Sequence, residues 1–296
     1  MPAPTDLIVT AADEGFAPLL RGLLGSLVHA GWTGEVAVLD LGLSAQTRAW
    51  VDTVARHRVE PGWDLPVAPA LRERQPQLRA LTARPFLPRY FPGHARYLWI
   101  DADAWVQEAW VLARYLDACR GGRIAITPQV DRCYLHRQDL LGWRLERLQA
   151  GFGRAAAERA LWETYVNAGA FALEAGAPRW EAWARHFAQG LSASGGMVCC
   201  DQSALNHLLW TERLPQHPLQ ATCNWLCHLA LPAVERGSGR LVEPLAPHAP
   251  LGLVHLTALA KEGPVRLPGE DGPRVLDLRS PHGARVAMPV GADGPH

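Results

Sequence analysis

The sequence predicts an α/β fold, a mostly parallel sheet buried between helices. Three observations carry this. Short apolar runs alternate with stretches of helical periodicity over the first part of the chain, an order that suits parallel strands joined by crossover helices. The strand-like runs are uncharged along their length, as expected where both faces of a sheet are covered. The chain has 296 residues, enough to bury a large core without disulfide or metal staples.

Leu7 to Thr10 is the first expected strand. The turn-like Ala12-Asp13-Glu14-Gly15 leads into a helix with Leu19, Leu20, Leu23, Leu24, Leu27 and Val28 on its apolar face. Gly31 then stops it at the C′ position. Val36 to Leu39 is a second strand, after which Ser44 is placed to cap a helix carrying Trp50, Val51 and Val54. Pro, Arg and Glu dominate from Val59 to Gln77, which reads as a surface connection. Leu81 to Tyr90 and the breaker Phe91-Pro92-Gly93 precede the strongest strand, Tyr97 to Ile100; Ile124 to Thr127 and Ala168 to Leu173 are further strands. Pro178 opens a helix with Trp180, Trp183 and Phe187 on one face. Asp201 is placed to cap another that carries Leu205, Leu208 and Leu209.

The run from Tyr134 to Trp162 has helical spacing and no strand partner, so 134–162 is expected to be a helical insertion within one domain spanning 1–261. From 262 to 296 Gly and Pro with scattered charges predict an extended, partly disordered tail. Lys plus Arg and Asp plus Glu are equal at 29 each, which provides no global basic field for nucleic acid or an anionic membrane. The six cysteines contain no paired CxxC motifs and read as reduced thiols of a cytoplasmic protein. No run approaches the roughly 20 apolar residues of a transmembrane helix.

Tyr97-Leu98-Trp99-Ile100 leads directly into Asp101-Ala102-Asp103. Ligands of open α/β sheets gather at such carboxyl ends of strands, and side chains at i and i+2 of an extended segment point the same way. Two carboxylates there suit a hard divalent cation, Mn²⁺ or Mg²⁺, shared with substrate phosphates. The competing reading is a solvated turn at the end of a strand.

Around this motif the chain resembles family 8 of the glycosyltransferases, retaining enzymes of the GT-A fold, from about Ile8 to Lys261. Thr10-Ala11-Ala12-Asp13-Glu14-Gly15-Phe16 is similar to the family's first strand and nucleotide loop, with Gly15 where many members have Asn. The resemblance implies that Asp13 hydrogen-bonds the base or ribose and Phe16 stacks on the base. Arg84, within Thr82 to Pro88, matches a basic residue near the donor. YLWIDADAWV from Tyr97 to Val106 matches the metal strand, and Asn167-Ala168-Gly169 the segment lining the donor sugar. Asp201-Gln202 resembles the helix start near the anomeric carbon, with Asp201 on a sugar hydroxyl and Gln202 opposite the diphosphate. His255 and Lys261 keep a six-residue interval. They imply a third metal ligand beside Asp101 and Asp103, and a cation for the diphosphate. Ala258 and Glu262-Gly263 replace the usual Gly and Pro-Trp of that loop.

The implied activity is transfer of a hexose from a UDP-sugar to a hydroxyl of a glycan, lipid-linked sugar or protein, with retention. Thr10, Ala11 and Ala102 belong to the implied donor site, Asp201 and Gln202 to catalysis. Trp143 and Trp162 flank the insertion assigned to the acceptor, while most of the twelve Trp residues are expected in the core. A sugar nucleotidyltransferase is disfavoured by the acidic Asp13-Glu14 where a basic Gly-rich phosphate loop would stand. A catalytically silent donor-binding or interaction protein is the remaining alternative.

Overall fold

The computed structural model describes residues 5–196, 199–213, 216–269 and 272–279. The first half of the chain forms β1 (Asp6–Ala12), α1 (Ala17–His29), β2 (Glu35–Asp40), α2 (Ala45–Val54) and β3 (His57–Val59). The short helices α3 (Pro69–Arg74), α4 (Arg79–Ala83) and α5 (Leu87–Tyr90) follow, then β4 (Arg96–Ile100), β5 (Ala104–Val106), α6 (Trp110–Ala118) and β6 (Ile124–Pro128). The second half adds α7 (Gln138–Phe152), α8 (Arg154–Arg159), β7 (Val166–Glu174), α9 (Arg179–Ser194), α10 (Asp201–Glu212) and β8 (Gln216–Pro218). The remaining strands are β9 (Trp225–Leu226), β10 (Ala233–Val234), β11 (Leu241–Val242), β12 (Leu253–His255), β13 (Val265–Leu267) and β14 (Arg274–Leu276).

The main sheet runs β3-β2-β1-β4-β7-β6-β8. Strands β3, β2, β1 and β4 are mutually parallel, β7 is antiparallel to both β4 and β6, and β8 is parallel to β6. Alternate residues divide the core. Leu7, Val9, Tyr97, Trp99 and Phe171 face Trp180, Trp183 and Phe187 of α9 and Leu205 and Leu208 of α10. Ile8, Val38, Leu98 and Ala170 face α1 and α6. Burying a Leu or Phe side chain is worth about 1.5–3 kcal/mol, so the two layers hold the strand ends in fixed register.

Several elements follow the sequence closely. Gly31 takes φ +71° just beyond α1, and the Ser44 hydroxyl accepts the Thr47 N–H at the start of α2. The segment 59–77 is less of a surface connection than expected: Leu65 and Val67 are buried in the first core layer and α3 lies within it. Proline and charge there mark the turns, while two apolar residues pin the loop down. Cys200, not Asp201, is the N-cap of α10, and Asp201 is its first helical residue, because the carboxylate is drawn away to an arginine.

The region 134–162 folds as α7 and α8, broken at Gly153 with φ +82°. Gly151 of α7 and Gly190 of α9 both lie against the Cys199 side chain, where a Cβ on either would come too close to Sγ. The expected tail is folded at its near end. Strands β13 and β14 pair antiparallel, Leu267, Leu276 and Leu278 are buried, and the Trp105 indole N–H donates to the Leu278 carbonyl at 2.9 Å. Alternating leucines supply the apolar surface that Gly and Pro content obscures. Residues 280–296 lie outside the described residues.

Trp99, Trp105, Trp180, Trp183, Trp210 and Trp225 are buried, whereas Trp143 and Trp162 are exposed. Among the described residues no helix is long and apolar enough to cross a membrane. The six cysteines are all free.

Candidate donor and metal site

Strands β1 and β4 end side by side, and Asp101-Ala102-Asp103 leaves β4 in a turn closed by the Ala104 N–H on the Asp101 carbonyl at 3.0 Å. The carboxylates converge because of this turn, not because the segment is extended as its spacing had suggested. A second contribution comes from far along the chain. Strand β12 pairs antiparallel with β5, setting His255 opposite Ala104, and the Leu256 N–H donates to the Asp103 carbonyl at 2.7 Å. His255 Nε2 thereby stands 3.2 Å from Asp103 Oδ1 and 3.9 Å from Asp101 Oδ2.

One ligand atom from each of Asp101, Asp103 and His255 lies within 4.8 Å of the others. Two carboxylate oxygens and an imidazole nitrogen form a donor set that accepts Mn²⁺ or Mg²⁺. Nδ1 of His255 meets Asn224 Oδ1 at 3.0 Å. Asn224 Nδ2 in turn donates to Asn167 Oδ1 at 2.9 Å, and Asn167 Nδ2 to Gln202 Oε1 at 3.2 Å. In this relay each amide oxygen faces a donor. His255 therefore carries its proton on Nδ1 and turns the Nε2 lone pair toward the carboxylates, the state a metal ligand requires. Asn224 gives no signal in the sequence, because its role depends on a contact with a residue 31 positions away.

Arg84 is buried between two carboxylates. It donates to Asp201 Oδ2 at 2.5 Å and to Asp101 Oδ1, and its guanidinium carbon sits 4.6 Å from the centre of the Trp99 ring. Burial alone would lower its pKa, but Asp101 and Asp201 outweigh it and the net shift is upward. Burial raises the Asp101 carboxyl, with Arg84 opposing. For Asp103 burial acts in the same upward direction, yet His255 and Lys261 overcome it and hold the group well below the usual carboxylate range. Lys261 Nζ lies 3.0 Å from Asp103 Oδ2 and 5.6 Å from the centre of the Phe16 ring.

A cleft of about 240 Å³ opens beside these groups, lined among others by Ala11, Asp13, Phe16, Arg84, Asp101, Ala102, Asp103 and Lys261. Phe16 is 37% exposed, so it is no core residue. The Asp13 carboxylate accepts the Phe16 N–H at 3.0 Å, and Glu14 holds the loop to α2 through the Ser44 N–H at 2.7 Å. Thr10 is buried and its hydroxyl has no hydrogen-bond partner among the described residues.

Asn167, Ala168 and Gly169 lie where the β6–β7 register slips between Ile126 and Thr127. A Cβ on Gly169 would overlap the His255 ring and come within 2.8 Å of Asn167 Oδ1 and Asp101 Oδ2. The glycine is thus dictated by the packing of His255, Asn167 and Asp101. Gln202 Oε1 accepts both the Asn167 amide and the Ala168 N–H, the latter at 3.0 Å.

No known protein family matches the chain in sequence, and no curated protein does. Solved structures match its fold. A galactosyltransferase, LgtC, crystallised with donor and acceptor sugar analogues, aligns with a TM-score of 0.53 at 20% identity over 86% of this chain and 88% of that one. The fold is GT-A. An active-site glutamine-to-glutamate mutant of LgtC matches with a TM-score of 0.52 at 18% identity, over 85% of this chain and 87% of that one. The bifunctional glycosyltransferase WbbM matches with a TM-score of 0.55 at 13% identity over 87% of this chain; the match spans 46% of WbbM.

Proposed function

We propose that the protein is a metal-dependent glycosyltransferase that moves a hexose from a UDP-sugar to a hydroxyl acceptor with retention at the anomeric carbon. The observation that carries this reading is the convergence of Asp101, Asp103 and His255 beside a cleft also lined by Asp13, Phe16 and Lys261. The donor analogue in the LgtC crystals fits the same reading.

A cation held by Asp101, Asp103 and His255 would supply Lewis-acid stabilisation to the diphosphate as its charge develops. Lys261 would leave Asp103 for the diphosphate, adding a second positive charge. Phe16 offers a ring for stacking on uracil, and the second Asp13 oxygen an acceptor for base or ribose. Asp201, first in α10, would hold a sugar hydroxyl while Arg84 fixes its position. The exposed Trp143 and Trp162 remain our choice for contacts with the acceptor.

Retention by double displacement needs a nucleophile on the far side of the sugar. Gln202 is an amide whose carbonyl oxygen already accepts two N–H groups, which favours an electrostatic role over attack. We therefore favour same-face displacement. The bond from anomeric carbon to phosphate oxygen breaks, the acceptor oxygen bonds on that face, and its proton passes to the departing diphosphate.

The test is thermal unfolding with a panel of nucleotides and UDP-, GDP- and CMP-sugars, with and without Mn²⁺. A Mn²⁺-dependent rise of the midpoint with uridine ligands is expected, followed by product formation with retained configuration. Binding without turnover across many acceptors would favour the silent module, and no shift with any nucleotide would remove the reading altogether.

A further inference from the structure

The end of the sheet away from the cleft carries a second convergence of metal-binding side chains. Glu35 is the first residue of β2, His57 the first of β3, and His94 lies two residues before β4. One ligand atom from each lies within 4.8 Å of the others. Since His94 precedes β4 and Asp101 follows it, the two clusters are separated by about 20 Å at the usual rise per strand residue.

The contacts assign lone pairs as well as positions. Glu35 Oε2 is 2.8 Å from His57 Nε2 and 3.2 Å from His94 Nε2. His94 Nδ1 is 3.1 Å from the Phe91 carbonyl oxygen, and a carbonyl can only accept, so the proton of the neutral ring resides on Nδ1. The Nε2 lone pair then faces a carboxylate oxygen, an arrangement that is attractive only with a cation between them or a second proton on the ring. The His94 side chain is 7% exposed, so packing fixes the ring with Nε2 toward Glu35. Backbone fixation of the distal ring nitrogen is the usual support of a metal-bound histidine.

From these observations we infer that Glu35, His57 and His94 form a Zn²⁺ site, independent of the cleft and of any nucleotide-sugar chemistry. Two imidazoles and one carboxylate suit Zn²⁺ better than the oxygen-seeking Mg²⁺ or Ca²⁺. Zn–N bonds of about 2.0–2.1 Å place neighbouring tetrahedral ligands about 3.3 Å apart, which matches the 3.2 Å between Glu35 and His94 and requires the 2.8 Å contact to His57 to open by about 0.5 Å. Glu35 and His57 are each about one-third exposed, leaving room for water as the fourth ligand. The ion fastens the starts of β2 and β3 to the turn before β4.

The experiment uses the full chain carrying Asp101→Asn and Asp103→Asn, which silence the cleft, after removal of metal with a chelator. Zn²⁺ titration by calorimetry is expected to give one ion per chain and a raised unfolding midpoint. Co²⁺ should give the visible spectrum of a tetrahedral site. His57→Gln and His94→Gln should each weaken Zn²⁺ binding at least about tenfold and abolish the Co²⁺ bands. Glu35→Gln, at a partly exposed position, supplies the same test if a histidine variant does not fold. Absence of Zn²⁺ binding in the cleft-silenced chain, or binding untouched by all three substitutions, would overturn the inference.

Discussion

The two ends of the sheet carry clusters of similar chemistry on different supports. At the carboxyl ends, Asp101, Asp103 and His255 are gathered from a turn and from a strand some 150 residues later, as the sequence numbers show. They are flanked by the cations Arg84 and Lys261. At the amino ends, Glu35, His57 and His94 come from neighbouring strands and a short turn, and a backbone carbonyl orients one histidine. The cleft cluster is preorganised by buried charges and amides, so its geometry is costly to break. In the opposite cluster Glu35 and His57 are about one-third exposed, and no buried cation or amide relay supports it among the described residues. An ionisable triad alone therefore says little about chemistry; its support and its neighbouring charges decide.

The sharpest way to break this contrast is to remove Arg84. Arg84→Ala leaves Asp101 and Asp201 buried without their common partner and should cost about 3–5 kcal/mol of stability, read by urea unfolding. Arg84→Lys should rescue little, since one ammonium cannot reproduce the guanidinium bridge. Next, Asp103→Ala should reduce turnover by about 100- to 1000-fold and abolish the Mn²⁺-dependent nucleotide shift, while Zn²⁺ binding at the opposite end is unchanged. A loss of both would mean that the ends are not independent. Asn224→Ala should weaken Mn²⁺ affinity about 10- to 100-fold with little change in kcat at saturating metal. Asn224→Asp restores an acceptor for His255 but loses the donor to Asn167, so it tests each half of the relay separately.

The smallest effect concerns Asp40, at the cleft end of β2. Burial alone would raise its carboxyl, but the N–H groups of Leu43 and Gly42, with Arg48, hold it below its ordinary 3.8. A carboxyl depressed on folding adds stability above its unfolded value, and that stability is lost as pH falls through the folded value. Asp40→Asn should therefore flatten the fall in stability below about pH 3.8 and leave both metal affinities unchanged. A steep acid limb that survives the substitution would assign it to other carboxylates.

Sequence alone was enough for the elements whose causes are local. The uncharged runs in β1, β2, β4 and β7 are strands because neither face meets water, and Gly31 and Ser44 act through their own backbone and hydroxyl. Asp101 and Asp103 were legible as a motif at the end of an apolar strand. What failed were inferences about where a side chain turns. Asp201 looked like a helix cap until Arg84 claimed it, and the leucines after residue 262 were hidden by Gly and Pro. Asn224 and the grouping of Glu35 with His57 and His94 carried no spacing signal. The sequence by itself determined which segments must be buried, since apolar periodicity is a property of neighbours in the chain. Only the tertiary structure decided which polar groups meet, because β12 beside β5, and β2 and β3 beside the turn before β4, join residues whose separation along the chain places no limit on their contact.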